Sequence, residues 1–135
     1  MQNHSLSEYL FVYGTLMSGH TNPFSHQLQR MATYYAEGYM PGALYRIDWY
    51  PGAIYQADSS STVRGEIYQL NEAGPLLQAL DAYEDLQPNE SQSEYIRRIV
   101  PIDTPDGSRV DCWVYLFNKR VSGLQRIYGG DFRRG

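Results

Sequence analysis

Hydrophobic and polar positions along the chain predict a fold built mainly from short strands. Residues 9–13 are a continuous apolar run, short enough for a strand that is buried on both faces. Residues 63–70 and 95–102 are predicted as further strands. In residues 109–117 both alternating faces are apolar, so this strand is predicted to lie in the middle of a sheet. Proline and glycine within 104–107 predict a tight turn between the last two strands.

The middle and the end of the chain supply the remaining elements from which the fold class is predicted. Between residues 39 and 55, short apolar pieces are separated by Pro-Gly pairs at 41–42 and 51–52, which predicts strands joined by turns. A short helix is expected within 26–35, and the Gly-rich tail from Ser122 is expected on the surface or over an opening. Five or six strands with one or two helices indicate the α+β class. Because so little helix cannot cover both faces of an open sheet, we expect a strongly curled or closed, antiparallel-dominated sheet.

A second helix is expected over residues 72–84, with Asn71 as its N-cap. Leu77, Leu80 and Glu84 stand at positions i, i+3 and i+7, so they share one stripe of this helix. Glu84 therefore occupies a position where the stripe that faces the core would carry an apolar residue. An inward carboxylate is costly unless it is paired or hydrogen-bonded, and burial raises its pKa toward the range that suits proton transfer at neutral pH.

The opposite face of the same helix is polar. Gln78, Asp81 and Asp85 are expected there, in contact with solvent. An alternative interpretation is that the helix ends early, so that Glu84 is an exposed residue before the loop 85–94. Both interpretations stay open, because a hydrophobic pattern defines the body of a helix better than its ends.

Tyr13, Gly14, Thr15 and Leu16 follow the first predicted strand directly. A buried strand that ends in glycine exposes bare backbone to whatever lies beyond it. Successive N–H groups at such a point can bind a carboxylate or a developing oxyanion. An ordinary turn after a strand is the alternative, and the tetrapeptide alone does not decide between the two.

Length and charge narrow the classes of partner. The 135 residues fit one domain, 1–135, and 42% hydrophobic with 19% charged residues is ordinary for a globular protein. A net charge of -4 without a basic cluster argues against nucleic acid or an anionic membrane as the main partner. There is no apolar run for a membrane span and no signal-peptide pattern, and the single cysteine fits a reducing compartment. A cytoplasmic location is therefore expected.

Histidine and cysteine offer no clear chemistry. His4, His20 and His26 show no ligand spacing with acidic pairs or with Cys112, so no metal site is expected. Cys112 stands in the middle of a strand and is expected to be a core thiol.

Two arginines and the many tyrosines leave questions open. Arg97 and Arg98 point to opposite faces of their strand, so one of them could face inward and pair with Glu84 or with a substrate carboxylate, while the other lies on the surface. The thirteen tyrosines fit a β-rich fold, and some of them could line a cavity, since a buried phenol needs a hydrogen-bond partner.

Read together, these pieces resemble the γ-glutamylcyclotransferase-like superfamily, which includes γ-glutamylamine cyclotransferases. The resemblance spans nearly the whole chain and keeps the order of the family. The segments that carry it are residues 10–16, 19–22, 38–53, 63–68, 80–84, 95–97 and 129–132. One departure is Asp85, which follows Glu84 where glycine is common, and it could change the local turn.

The resemblance implies a small closed or nearly closed mixed β-barrel with one or two flanking helices. It implies release of 5-oxoproline and a free amine from a small γ-glutamyl substrate, without a metal or an organic cofactor. By motif match, Glu84 would be the general acid/base, and Tyr13, Gly14, Thr15 and Leu16 would bind the γ-glutamyl group.

Three other interpretations remain at this point. The γ-glutamyl unit could be carried by a biosynthetic intermediate or a carrier protein. The chain could be a γ-glutamyl-binding domain without turnover. It could also be an interaction protein recognised through surface tyrosines, which burial of most tyrosines would discount. The leaving amine and the oligomeric state stay open.

Overall fold

A closed barrel of five strands forms the centre of the protein in the computed structural model, which describes residues 8–17 and 22–134. The strands are β1 Tyr9–Val12, β2 Ala32–Arg46, β3 Pro51–Tyr55, β4 Thr62–Leu70, β5 Tyr95–Asp103, β6 Arg109–Phe117 and β7 Gln125–Arg126. The helices are α1 Pro23–Met31 and α2 Ala73–Tyr83, and 3₁₀ turns occur at Glu90–Gln92 and Phe132–Arg134. The first seven residues and most of the 19–22 segment fall outside the described residues.

Backbone pairing closes the barrel. The strand order around it is β2, β4, β1, β6 and β5, and β5 pairs back onto β2 where Asp103 meets Tyr39. β1 runs parallel to β6, whereas the other neighbours in the barrel are antiparallel. The expected α+β class with a closed mixed barrel is confirmed. β6 lies between β1 and β5, as its two apolar faces predict.

The long strand β2 differs from the prediction of several short strands. It runs unbroken through Pro41 and Gly42, because the chain changes its pairing partner there. Residues up to Pro41 pair with β4, and residues from Gly42 onward pair with β3. Gly42 has a φ of 149°, and a Cβ there would collide with the Ile54 carbonyl oxygen. This Pro-Gly pair therefore marks a change of partner and not a turn.

Two apolar clusters lie on the two sides of the barrel wall. Phe11, Ile67 and Ile102 come from three different strands and pack together with other interior residues of the barrel. Leu76 and Leu80 belong to the second cluster, in which the helices pack against the outer faces of the strands. The alternation along each strand thus supplies both clusters at once.

Cys112 and the tyrosines follow the predicted distribution in part. Cys112 is fully buried in the interior cluster, and burial raises the pKa of its thiol to about 12, so it is a core thiol. Only three of the thirteen tyrosines are exposed, and four are buried. Most tyrosines are thus at least partly exposed, so the structure does not meet the condition that would discount a tyrosine-rich recognition surface.

Helix α1 begins and ends earlier than predicted. It starts at Pro23 and is capped by Asn22, whose side-chain oxygen accepts hydrogen bonds from the N–H groups of Phe24 and Ser25. Strand β2 follows at once from Ala32, so the predicted helical range 26–35 was shifted.

Helix α2 matches its predicted body but not its predicted cap. Glu72 is its N-cap and makes no side-chain capping bond. Asn71 does not cap the helix; its backbone N–H donates to the Met31 carbonyl at 3.2 Å, which joins the residue after β4 to the end of α1. In the described part of the chain, no helix has the length and apolar character needed to cross a membrane.

The end of α2 forms a tight turn that places Glu84. Glu84 is the C-cap residue, and Asp85 follows in the left-handed conformation with a φ of 57°. The N–H of Leu86 donates to the Asp81 carbonyl at 3.0 Å, and the N–H of Asp85 donates to the Ala82 carbonyl at 3.1 Å. This is a Schellman motif, in which glycine usually occupies the left-handed position. Asp85 adopts the glycine conformation, so the departure from the family pattern leaves the turn intact.

The strain at Asp85 yields a stability prediction. Replacing Asp85 by glycine should raise the free energy of unfolding by about 0.5–1 kcal/mol, because glycine adopts a positive φ without a steric penalty. Chemical denaturation with an unchanged m-value measures this. Asp58→Gly is the matched control, since Asp58 is exposed and lacks a positive φ. The control should be destabilised, and equal effects in both variants would contradict the prediction.

Candidate active site

A cavity of about 260 Å³ opens at the end of the barrel where β1 finishes. Its wall is formed by the end of β1 and the turn after it, the loop between β2 and β3, the end of α2 and the start of β5. Tyr13, Gly14, Thr15, Leu16 and Glu84 all line it. The structure thus brings the five predicted site residues to one cavity.

The turn after β1 is braced from two sides. The Met17 N–H donates to the Gly14 carbonyl at 3.1 Å, which closes a β-turn with Thr15 and Leu16 at its centre. Asn22 donates from Nδ2 to the Thr15 carbonyl at 3.0 Å. None of the N–H groups of Gly14, Thr15 and Leu16 donates to another group within residues 8–17 and 22–134. The turn therefore presents main-chain donors that the described protein does not use.

The turn is also joined to α2. The hydroxyls of Thr15 and Tyr83 lie 3.1 Å apart and share a hydrogen bond. The Tyr83 ring stacks on Phe24 of α1, with ring centroids 4.3 Å apart. The last residue of α2 thus links both helices to the turn, one position before Glu84.

Gly14 is required for a reason that the sequence does not reveal. A Cβ at this position would lie 2.9 Å from Pro51 Cγ, so Pro51 of β3 packs directly on the glycine. The bare backbone was expected to admit a ligand, but at Gly14 it admits a neighbouring strand. Pro51 therefore covers the Cα of Gly14, while Gly14, Thr15 and Leu16 still line the cavity.

Buried phenols position β3 at the cavity. The Tyr13 hydroxyl donates to the Tyr115 carbonyl at 2.6 Å and accepts from the Ala53 N–H at 3.2 Å. The Tyr95 hydroxyl donates to the Pro51 carbonyl at 2.5 Å. Burial raises the pKa of both phenols well above the ordinary value, so both stay neutral. The Tyr13 side chain therefore serves the scaffold.

Glu84 lies just beyond the last helical residue and its carboxylate still lines the cavity. The helix does end early, as the alternative interpretation has it, but the side chain is not exposed. Burial, and after it the negative charges of Glu94 and Asp81, raise the pKa of Glu84 to about 7. A carboxyl group with this pKa exists in both protonation states near neutral pH, which suits a group that accepts and returns protons.

Asp81 was expected on a solvated face; it is partly exposed, and its carboxylate is bound by two side chains that the prediction missed. Tyr115 donates to Asp81 Oδ1 at 2.6 Å, and Arg97 donates to both carboxylate oxygens of Asp81 at 2.8 and 2.9 Å. The Arg97 guanidinium also lies 4.4 Å from the centroid of the Trp113 ring. Arg97 is thus the arginine that faces α2, and its partner is Asp81 and not Glu84.

Arg98 is the arginine that lies on the surface, as was predicted for one of the two. It is exposed, and its ion pair with Glu90 spans 2.7 Å. Among the described residues no lysine, arginine or histidine lines the cavity.

Glu94 is a cavity carboxylate that sequence reasoning missed. Tyr50 donates its hydroxyl to the two oxygens of Glu94, at 2.9 and 3.0 Å. Burial and this bond raise the pKa of Tyr50 to about 12. Glu94 stands directly before β5, in a polar stretch whose pattern carries no signal, so only the fold brings it beside Glu84.

Comparison with known proteins agrees with this geometry. The family model described as "Gamma-glutamyl cyclotransferase, AIG2-like" matches residues 10–134. The Gamma-glutamylcyclotransferase family protein YtfP of Escherichia coli strain K12 is 33% identical over 126 residues, which cover 91% of this chain and 94% of that protein. The solution structure of YtfP from Escherichia coli has a TM-score of 0.63 and 30% identity, covering 94% of this chain and 99% of that one. The crystal structure of an AIG2-like protein from Mus musculus has a TM-score of 0.70 and 25% identity, covering 92% and 86%.

The structure thus defines a closed mixed barrel with a carboxylate and unused main-chain donors in one end cavity. The chain belongs to the gamma-glutamyl cyclotransferase, AIG2-like family. The family and the fold expected from the resemblance are confirmed.

Because the pKa of Glu84 is raised, removing its carboxylate should stabilise the protein by an amount that depends on pH. The pKa in the folded state is about 7, above the ordinary 4.5, so the folded state binds more protons than the unfolded state between these values. Stability therefore falls as pH rises through this interval. At pH 8, Glu84→Gln should raise the free energy of unfolding by about 1–3 kcal/mol, and at pH 4 the gain should vanish.

Glu90→Gln is the matched control. The hydrogen bond from Arg98 lowers the pKa of Glu90, so removing this carboxylate should give no gain at pH 8. Denaturation midpoints at both pH values measure the two variants. A Glu84→Gln gain that is equal at pH 4 and pH 8 would show that the carboxylate is not titrating near neutrality.

Proposed function

We propose that this protein is a cyclotransferase that releases 5-oxoproline and a free amine from a small γ-glutamyl compound. Membership of the gamma-glutamyl cyclotransferase, AIG2-like family supports the reaction class. The observation that carries the proposal is Glu84, a largely buried carboxylate with a pKa of about 7, in the same cavity as the turn that presents unused N–H groups.

The first step is the attack. Ionised Glu84 takes a proton from the α-ammonium of the substrate, which frees a nucleophilic amine. The nitrogen attacks the γ-carbonyl carbon of the same molecule and closes a five-membered ring. Because both reacting groups belong to one substrate, the protein contributes mainly by folding the γ-glutamyl chain into the attacking conformation.

The second step is the departure of the amine. The carbonyl oxygen becomes an oxyanion, and the N–H groups of Gly14, Thr15 and Leu16 stabilise it or hold the α-carboxylate. Over both steps the attacking nitrogen loses two protons, the one taken before the attack and one lost after it. Glu84 carries each of them to the leaving nitrogen. The old C–N bond breaks, and 5-oxoproline and the protonated amine leave without consumption of water.

Loss of the carboxylate should remove the reaction. Glu84→Gln should fold and should lower kcat/KM for 5-oxoproline release by about 10²–10⁴-fold, the usual contribution of a general acid/base. In the unmodified protein, kcat/KM should rise with pH and level off above about 7, where Glu84 is ionised. Chromatographic detection of 5-oxoproline measures both effects. Glu90→Gln is the control and should keep full activity, since Glu90 is exposed. Full turnover by Glu84→Gln would refute its role.

The main-chain donors can be tested with one pair of variants. Thr15→Pro removes the Thr15 N–H, and proline suits this position because Thr15 follows the first residue of the turn. Thr15→Val keeps the N–H but, like the proline variant, loses the hydroxyl contact with Tyr83. We expect Thr15→Pro to lower kcat/KM at least about tenfold more than Thr15→Val, one hydrogen bond to a charged group being worth this much. Equal losses would exclude the Thr15 N–H from the site.

A further inference from the structure

The loop between β2 and β3 carries an exposed tryptophan into the cavity mouth. Trp49 is 66% exposed and lines the cavity. The N–H groups of Ile47 and Asp48 both donate to the Tyr50 carbonyl, at 3.0 and 3.2 Å, so the loop is tight and presents Trp49 at its tip. The Trp49 ring meets the Tyr50 ring edge to face, with centroids 5.1 Å apart. An indole held this way offers one face to the part of a bound ligand that extends out of the cavity.

The charged residues of the cavity lining are acidic. Glu84, Asp85 and Glu94 line the same cavity, and Asp48 lies close enough to Tyr50 to raise its pKa. Arg97, which faces α2, does not line the cavity and is bound by Asp81. Within the described residues, the cavity therefore offers carboxylates and aromatic rings, and no cationic side chain, to whatever occupies it.

The cavity size limits how much of a substrate is enclosed. Its volume of about 260 Å³ lies below the usual range for pockets that bury a drug-sized ligand, roughly 300–1,000 Å³. Such a volume encloses a γ-glutamyl group and only part of a long leaving group. A longer leaving group must extend past the mouth, along Trp49 and the carboxylate of Glu94.

We propose, on the basis of the proposed function, that the leaving group is an aliphatic amine with a second positive charge and no carboxylate, such as a diamine or polyamine. Its methylene chain packs on the Trp49 indole, and its distal ammonium lies against that ring and the Glu94 and Asp85 carboxylates. A leaving group with a free carboxylate meets like charges here and no counter-charge from residues 8–17 and 22–134, so an amino acid is disfavoured as the leaving amine.

Three substrates with one five-carbon chain test this proposal. The γ-glutamyl amide of pentylamine is neutral at its far end, the amide of cadaverine adds an ammonium, and the ε-linked amide of lysine adds a carboxylate to that ammonium. We expect kcat/KM for the cadaverine compound to exceed that of each of the other two by about 5- to 30-fold, the combined effect of a partly exposed ion pair and a cation–π contact. The preference should shrink in high salt.

Variants assign the preference to the mouth. Trp49→Ala and Glu94→Gln should each reduce the cadaverine preference at least about threefold. The measurements are made at pH 8.5, where Glu84 is ionised whether or not Glu94 is present. Tyr128→Ala and Asp58→Asn are the matched controls, since both residues are exposed and neither lines the cavity. The controls should keep the preference of the unmodified protein.

The outcomes separate this inference from the proposed function. Release of 5-oxoproline with equal kcat/KM for all three compounds, or with a preference for the lysine compound, overturns the inference and leaves the function standing. If no compound is turned over, the proposed function fails, and calorimetry measures how tightly Glu84→Gln binds each compound. Tighter binding of the cadaverine compound then supports the inference. Equal binding of the three compounds overturns the inference as well.

Discussion

The hydroxyl of Tyr13 joins three strands at the end of the barrel where the cavity opens. It donates to the Tyr115 carbonyl of β6 and accepts from the Ala53 N–H of β3, while its own residue follows β1. Among the strands, β3 pairs along its backbone only with β2, and besides the Tyr13 bond it is held by the Tyr95 hydroxyl of β5, which donates to the Pro51 carbonyl. Since an unpaired buried polar group costs about 1–3 kcal/mol, the interior holds β3 firmly in this position. The packing of Pro51 on Gly14 follows, and with it the shape of the cavity wall.

The ionised carboxylate of Glu84 lowers the stability of the fold, and main-chain hydrogen bonds hold it in place. Its carboxylate is buried near two other acids, and no cation within the described residues lines its cavity. The position of the side chain comes from main-chain bonds of a helix end, which depend little on side-chain identity. Asp81 is neutralised by Arg97, so the nearby charge that would burden Glu84 further is partly compensated. Functional sites commonly retain such a local cost while the rest of the fold supplies the stability.

Local pattern was enough to predict β1, β4, β5 and β6 and one inward carboxylate. The two apolar faces of β6 predicted its central place, and the spacing of Leu80 and Glu84 predicted an inward acid although the helix stops at Tyr83. The continuity of β2 could not be predicted, because a Pro-Gly pair has the same local chemistry whether the chain turns or changes partner. Asp81 and Glu94 owe their environments to Arg97, Tyr115 and Tyr50, which are distant in sequence. Contacts of this kind leave no periodic signal in the chain.

The turn after β1 offers its ligand only main-chain N–H groups. Such a donor survives every substitution except proline, so residues 15 and 16 can change during evolution without loss of the hydrogen bonds they supply. The groups at the mouth, Trp49 and Glu94, are side chains and have no such protection. Under the proposed function, recognition of the shared γ-glutamyl part is therefore robust to mutation, whereas the choice of leaving amine can diverge one residue at a time. A lineage built on this barrel could change its substrates while it keeps its chemistry.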